Sequence, residues 1–111
     1  MKKEEQKRIN DSVLSVYEDA KNQIDKYGMS GYSRLRTCSA HVMSTYGYEL
    51  LFSYNTLIAV YNHSDDTVYD FLRYVYGYTS TSSQHISKFA HDIGQLYGYK
   101  WSAPIVRYYP L

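Results

Sequence analysis

The chain has 111 residues, 44% of them hydrophobic, with a formal net charge of +1 from 12 basic and 11 acidic side chains and a single cysteine. That size suits one hydrophobic core, and the balanced charge excludes both a strongly basic nucleic-acid binder and an acidic DNA mimic as whole-chain characters. One thiol, Cys38, excludes an intrachain disulfide framework and a cysteine-rich zinc site, and it suits a reducing cytoplasm. Residues 1–10 are charged and lack the apolar segment of a signal peptide. No stretch approaches the roughly 20 apolar residues that span a bilayer, so no membrane partner is expected.

In chain order, residues 3–27 predict an amphipathic helix. Ile9, Val13, Val16, Tyr17, Ala20, Ile24 and Tyr27 recur at steps of three and four, and Gly28 is a natural stop. Residues 28–33 read as a loop, and residues 34–46 alternate weakly as a strand with Cys38, Ala40 and Val42 on the buried side. Residues 48–62 carry the clearest β pattern, two apolar runs separated by a turn at Asn55 and Thr56. A second turn falls at residues 62–66 and a strand restarts at Thr67. The stretch 67–78 mixes a helical spacing with Val, Tyr and Phe enrichment, and is read as a strand interrupted near Asp70. The hydroxyl run Thr79, Ser80, Thr81, Ser82 and Ser83 precedes a helix over 82–93, marked by Ile86, Phe89, Ala90 and Ile93, with Gly94 as its stop. Pro104 and Pro110 keep the aromatic tail 95–111 extended, either as an added edge strand or docked on a partner. The expected architecture is a single α+β domain. It has an N-terminal helix, a three- to four-stranded antiparallel sheet over 34–78, a second helix, and the extended tail.

The unusual component is tyrosine, 15 residues of 111. Tyrosine combines a large rigid surface with a polar tip and is favoured in interface centres, although it also edges cores. No catalytic signature, phosphate loop or paired metal-ligand spacing accompanies it, so no enzyme, cofactor or metal is expected. His85 and His91 lie six apart, on opposite faces of one helix. Thr81, Ser82 and Ser83 with His85 are candidates for helix capping or for an anion site at the helix start, to which Lys88, about a turn further on, could add. Tyr76, Tyr78, Tyr97, Tyr99, Trp101, Arg107, Tyr108 and Tyr109 are candidate contact residues. Arg34, Arg36, Arg73 and Arg107 interleave with aromatics, as a nucleic-acid surface would require.

Two segments carry a resemblance. Residues 53–59 (Ser-Tyr-Asn-Thr-Leu-Ile-Ala) and 81–89 (Thr-Ser-Ser-Gln-His-Ile-Ser-Lys-Phe) resemble a family of small uncharacterised proteins found in phages and mobile elements of Firmicutes. The shared pattern is a hairpin with Ser-Tyr-x-Thr, then Thr-Thr-Ser-x-His-Ile-x-x-Phe opening a helix. Ser82 stands where that pattern has a second Thr. The resemblance implies phage origin and no known chemistry. Small phage accessory proteins often disable host defence by binding an effector, anti-CRISPR proteins among them. The expectation is therefore an inhibitor of a host defence complex, such as a CRISPR effector nuclease, acting by protein contact. A nucleic-acid-binding accessory protein is the alternative, and a homodimer through the tail is compatible with either.

Overall fold

The computed structural model describes residues 2–36, 38–98 and 102–111. Helix α1 (Lys3–Tyr27) occupies the expected residues, and its C-terminal Gly28 turns out of the helix at φ 73° while donating its N–H to the Ile24 carbonyl. Five strands follow: β1 (Ser30–Arg34), β2 (Ala40–Thr45), β3 (Tyr48–Ser53), β4 (Thr56–Asn62) and β5 (Thr67–Asp70). A single helical turn, α2 (Leu72–Val75), leads to α3 (Ser80–Leu96) and then to β6 (Ile105–Arg107). The sheet has six strands in the order β1-β2-β3-β4-β5-β6. The first five pair antiparallel and β6 pairs parallel to β5. The class is α+β, with more strands than the sequence led us to expect.

Alternation along the strands divides the core between the two faces of the sheet. Leu50, Val60, Phe52, Tyr69 and Val106 pack with Val13, Val16, Tyr17 and Ala20 of α1. Leu51, Ala59, Tyr61, Val68 and Ile105 pack with Ile86, Phe89, Ala90 and Ile93 of α3. A bulge opposite Leu51 and Phe52 places the consecutive residues Ile58 and Ala59 in the same α3-side cluster. Leu50, Leu51, Val60, Val68, Phe71 and Leu72 are fully buried, each side chain worth about 1.5–3 kcal/mol of transfer free energy.

The connection from β5 through α2 and α3 is a helical crossover, which is why the tail returns parallel to β5. The tail thus adds an edge strand to its own sheet. Val68 donates to the Pro104 carbonyl at 2.8 Å and Tyr108 to the Asp70 carbonyl at 2.9 Å, extending the ladder at both ends of β6.

Several boundaries differ from the sequence reading. The loop assigned to 28–33 contains most of β1, a strand exposed along its whole length that shows no burial alternation. The strand assigned to 34–46 is two strands joined by a turn, and of its proposed buried set Ala40 is buried while Cys38 and Val42 are half-buried. The β3–β4 turn is centred on Tyr54 and Asn55, with Thr56 already in β4. The strand over 67–78 stops at Asp70, where the Asp70 carboxylate accepts the Leu72 N–H at 3.0 Å and starts α2. Helix α3 begins at Ser80, runs through the buried Gly94, and ends before Gly98, which adopts φ 83°.

Candidate functional site

The hairpin joining β3 to β4 and the start of α3 meet at one end of the sheet. Ser53, the last residue of β3, lies two positions after Leu51 and faces α3. Its Oγ is 2.8 Å from His85 Nδ1 and 3.0 Å from Ser82 Oγ, and all three residues are buried. Ser82 and His85 share a helix face at i and i+3. The helix start is set by Thr79, whose Oγ1 accepts the Ser82 N–H at 3.1 Å. The hydroxyl run therefore splits its work. Thr79 caps, Ser82 turns into the protein, Ser83 is half-buried, and Ser80 and Thr81 face solvent.

Burial lowers the proton affinity of His85, and the charge of Lys88 adds to the effect. A neutral imidazole follows, with one ring nitrogen facing Ser53. A serine against a neutral histidine is half of a nucleophile–base pair. Among the described residues no carboxylate hydrogen-bonds His85, and Ser53 is only 3% exposed. The arrangement satisfies three buried polar groups and fixes α3 to the sheet. Neither His85 nor Lys88 is turned toward an anion site at the helix start. His85 meets Ser53, and Lys88 Nζ lies 3.2 Å from Cys38 Sγ.

Over this buried trio lies a cleft of about 60 Å³ lined by Ser53, Tyr54, Thr56, Ile58, Tyr76 and Ser82. Tyr54 and Tyr76 are 61% and 66% exposed, so their rings flank an opening whose floor carries hydroxyl groups. Tyr54 adopts φ 54°, a conformation costly for a bulky residue, and donates its N–H to the Ser39 carbonyl at 2.9 Å. Its ring centroid is 6.2 Å from that of His85.

The aromatic surface continues along α2 and the segment after it. Arg73 lies between two rings, its guanidinium carbon 4.7 Å from the Tyr78 centroid and 4.6 Å from that of Tyr109. Tyr74 packs edge-on against Tyr108 and Tyr17, and Tyr17 against Phe71. Arg107 Nε donates to Asp70 Oδ2 at 3.2 Å across the β5–β6 pair. Asp70 is 1% exposed, and desolvation raises its pKa even though the Leu72 N–H, Arg107 and Arg73 act the other way.

The structure thus gathers Tyr76, Ser82 and His85 at the cleft, and Tyr78 and Tyr109 around Arg73. Tyr97 is elsewhere, stacked on Tyr61 at 5.5 Å with His63 against its edge. Tyr99 and Trp101 lie outside the described residues. Of the interleaved arginines, Arg36 is held by both carboxylate oxygens of Asp92 and Arg107 by Asp70, while Arg34 donates to the Cys38 carbonyl. A larger cleft of about 190 Å³ between β1–β3 and α3 has much of its charge paired internally, through Arg36 with Asp92 and Glu49 with Ser44 and His63. Among the described residues no three His, Cys, Asp or Glu side chains form a metal-binding group. No helix among them is long and apolar enough to cross a membrane.

Ser53 and Tyr54 were not among the site residues expected from sequence, although both lie in the first segment of the resemblance. That the two resembling segments meet through Ser53, Ser82 and His85 is a tertiary fact with no signal in local pattern. No curated protein and no solved structure matches the chain. The sequence model of the family described as "Family of unknown function (DUF8033)" matches residues 16–100, a span that holds the Ser53–Ser82–His85 trio and the Tyr54–Tyr76 cleft and leaves out β6 and the first half of α1. With more than half of its length matched, the chain belongs to this family of unknown function.

Proposed function

We propose that the chain acts by binding another protein through the tyrosine-rich end of the sheet, and that it is a phage-encoded accessory protein inhibiting a host defence effector in the host cytoplasm by contact, without catalysis. The observation that carries the binding reading is the pair of exposed rings, Tyr54 and Tyr76, flanking a cleft with a hydroxyl floor. Exposed aromatics around a small socket are the usual composition of interface hot spots. The phage and defence context comes from the resemblance of residues 53–59 and 81–89, and a family of unknown function is compatible with it. The tail strand pairs within its own sheet, so the contact is assigned to the rings and not to β6.

A nucleic-acid surface is the second reading, motivated by Arg34, Arg36, Arg73 and Arg107 interleaved with tyrosines, yet Arg36 and Arg107 already engage Asp92 and Asp70. The test uses the tagged full chain in a nuclease-treated host lysate, followed by titration of the recovered effector's nuclease activity. The expected result is a stoichiometric defence protein whose activity falls on titration and whose capture is lost in the Tyr54→Ser, Tyr76→Ser double variant. Recovery of nucleic acid alone when nuclease is omitted, or no change in effector activity, would overturn the proposal.

A further inference from the structure

We infer that Arg73, clamped between Tyr78 and Tyr109, is the anchor for a carboxylate presented by the protein partner, so that this face takes an acidic segment with apolar flanks. The inference rests on the reading of the tyrosine-rich end as a protein-binding surface and adds the chemistry of its occupant. Arg73 projects from α2, three residues before Tyr76 of the cleft. Its guanidinium is held 4.7 and 4.6 Å from two ring centroids, which fixes its position through cation–π attraction and leaves its N–H groups to find acceptors elsewhere. Nη1 is buried and, among the described residues, has no hydrogen-bond partner. A buried donor on a cation without an acceptor is an unfavourable state that an incoming anion relieves.

The neighbouring acid does not supply that acceptor. Asp70 is close enough for Arg73 to weaken its hold on a proton, but its two oxygens serve the Leu72 N–H at 3.0 Å and Arg107 Nε at 3.2 Å. The clamping rings are carried by irregular chain, Tyr78 between α2 and α3 and Tyr109 beyond β6, and both are exposed. Binding requires the exposed Tyr78 ring, on chain between α2 and α3, to turn aside so that a two-oxygen acceptor reaches the buried N–H edge, for which the guanidinium fork is matched. A peptide carboxylate fits better than a nucleic-acid backbone. A phosphate strand is held by a row of free cations, whereas Arg73 is flanked by the exposed rings Tyr78 and Tyr109 and the cation nearest it through Asp70, Arg107, is already engaged by that carboxylate.

The test is a titration of the isotope-labelled full chain, read by NMR at the Arg73 side-chain N–H and the Tyr78 and Tyr109 amides. Three probes are used: a short peptide alternating Glu with Leu and Phe, its Gln counterpart, and an oligothymidylate of matched length. The Glu peptide is expected to shift these signals and to bind at least about tenfold more tightly than the Gln peptide. Arg73→Gln is expected to remove that advantage, and Arg73→Lys, which keeps a cation for the rings but lacks the fork, to retain part of it. Matched melting curves confirm that both variants fold. Equal binding of the two peptides, no binding up to about 1 mM, undiminished binding by Arg73→Gln, or tighter binding of the oligothymidylate at the same signals would each overturn it. If Arg73→Gln still captures the effector through Tyr54 and Tyr76, this inference falls and the binding proposal stands. If the Tyr54→Ser, Tyr76→Ser variant captures it as well as the parent, the binding proposal falls and the peptide titration still decides the role of Arg73.

Discussion

The Asn10 carboxamide pairs with the backbone of Tyr109 at both ends, accepting its N–H at 3.0 Å and donating to its carbonyl at 2.7 Å. A side chain of α1 thus does for Tyr109 what a neighbouring strand would do. Gln6, one turn earlier, donates to Asn10 Oδ1 at 2.7 Å and to the Arg107 carbonyl at 3.3 Å. The two amides satisfy backbone groups on the outer side of the β6 edge, a common way to keep an edge from pairing with other chains. They also explain why two polar residues on α1 are among its most buried.

Asn10→Ala should therefore loosen the tail without unfolding the sheet. The loss of two hydrogen bonds, and of the acceptor for Gln6, is expected to cost about 1–3 kcal/mol. Hydrogen exchange should speed up at Tyr108 and Tyr109 while the amides of β3 and β4 keep their protection. Equal acceleration throughout the sheet would mean that the tail is not a separate unit.

Ser53→Ala should leave His85 Nδ1 and Ser82 Oγ buried without their shared partner, at a cost of about 1–3 kcal/mol. The histidine also sets a pH dependence. Its folded pKa lies below the ordinary 6.5, so the unfolded chain takes up a proton first as pH falls. The contribution of His85 is fully present above 6.5 and is lost as pH falls through the lowered folded value, with a slope of at most about 1.4 kcal/mol per pH unit. Denaturant unfolding of His85→Gln across that window should show a flatter profile than the parent.

Much of this architecture is legible in the sequence, and the misses have particular physical reasons. The length of α1 follows from its apolar period and Gly28, and the hairpin over residues 48–62 from two apolar runs. Strand β1 is invisible to pattern because an edge strand exposed along its length shows no alternation. Helix α2 defeats propensity: Val75, Tyr74 and Tyr76 favour strand, and the carboxylate of Asp70 turns the chain into a helical turn regardless. The site was legible in its parts and not in its assembly. Ser82 and His85 were named for the helix start, but what meets them, Ser53, is 32 residues before His85 and is brought there by sheet register.

Asp70→Asn tests the opposite pH behaviour. Burial raises the folded pKa of Asp70 above 3.8, so in the window just above that value the folded chain holds more protons than the unfolded one. The stability owed to this group is fully present at lower pH and declines as pH rises through the raised value. The stability of the parent relative to Asp70→Asn should fall with rising pH across the window and then stay constant. Asn keeps an acceptor for the Leu72 N–H, whereas Asp70→Ala removes it and leaves Arg107 unpaired. Asp70→Ala should cost about 2–3 kcal/mol, less than breaking a fully buried pair because Arg107 remains partly solvated.

Tyr54 offers a prediction in which stability and binding move apart. Its φ of 54° is one that Gly or Asn adopts readily and a bulky side chain does not. Its ring is 61% exposed, so little apolar contact is lost on removing it, and the N–H that bonds Ser39 survives substitution. Tyr54→Asn should raise the unfolding free energy by about 0.5–1.5 kcal/mol, and Tyr54→Gly by somewhat less because glycine gains freedom in the unfolded chain. Both should weaken capture of the protein partner, since the ring forms one wall of the cleft. Strain retained for contact predicts that combination. A loss of stability in both variants, measured by denaturant unfolding, would show instead that the ring is held in place by packing over His85 and serves the fold.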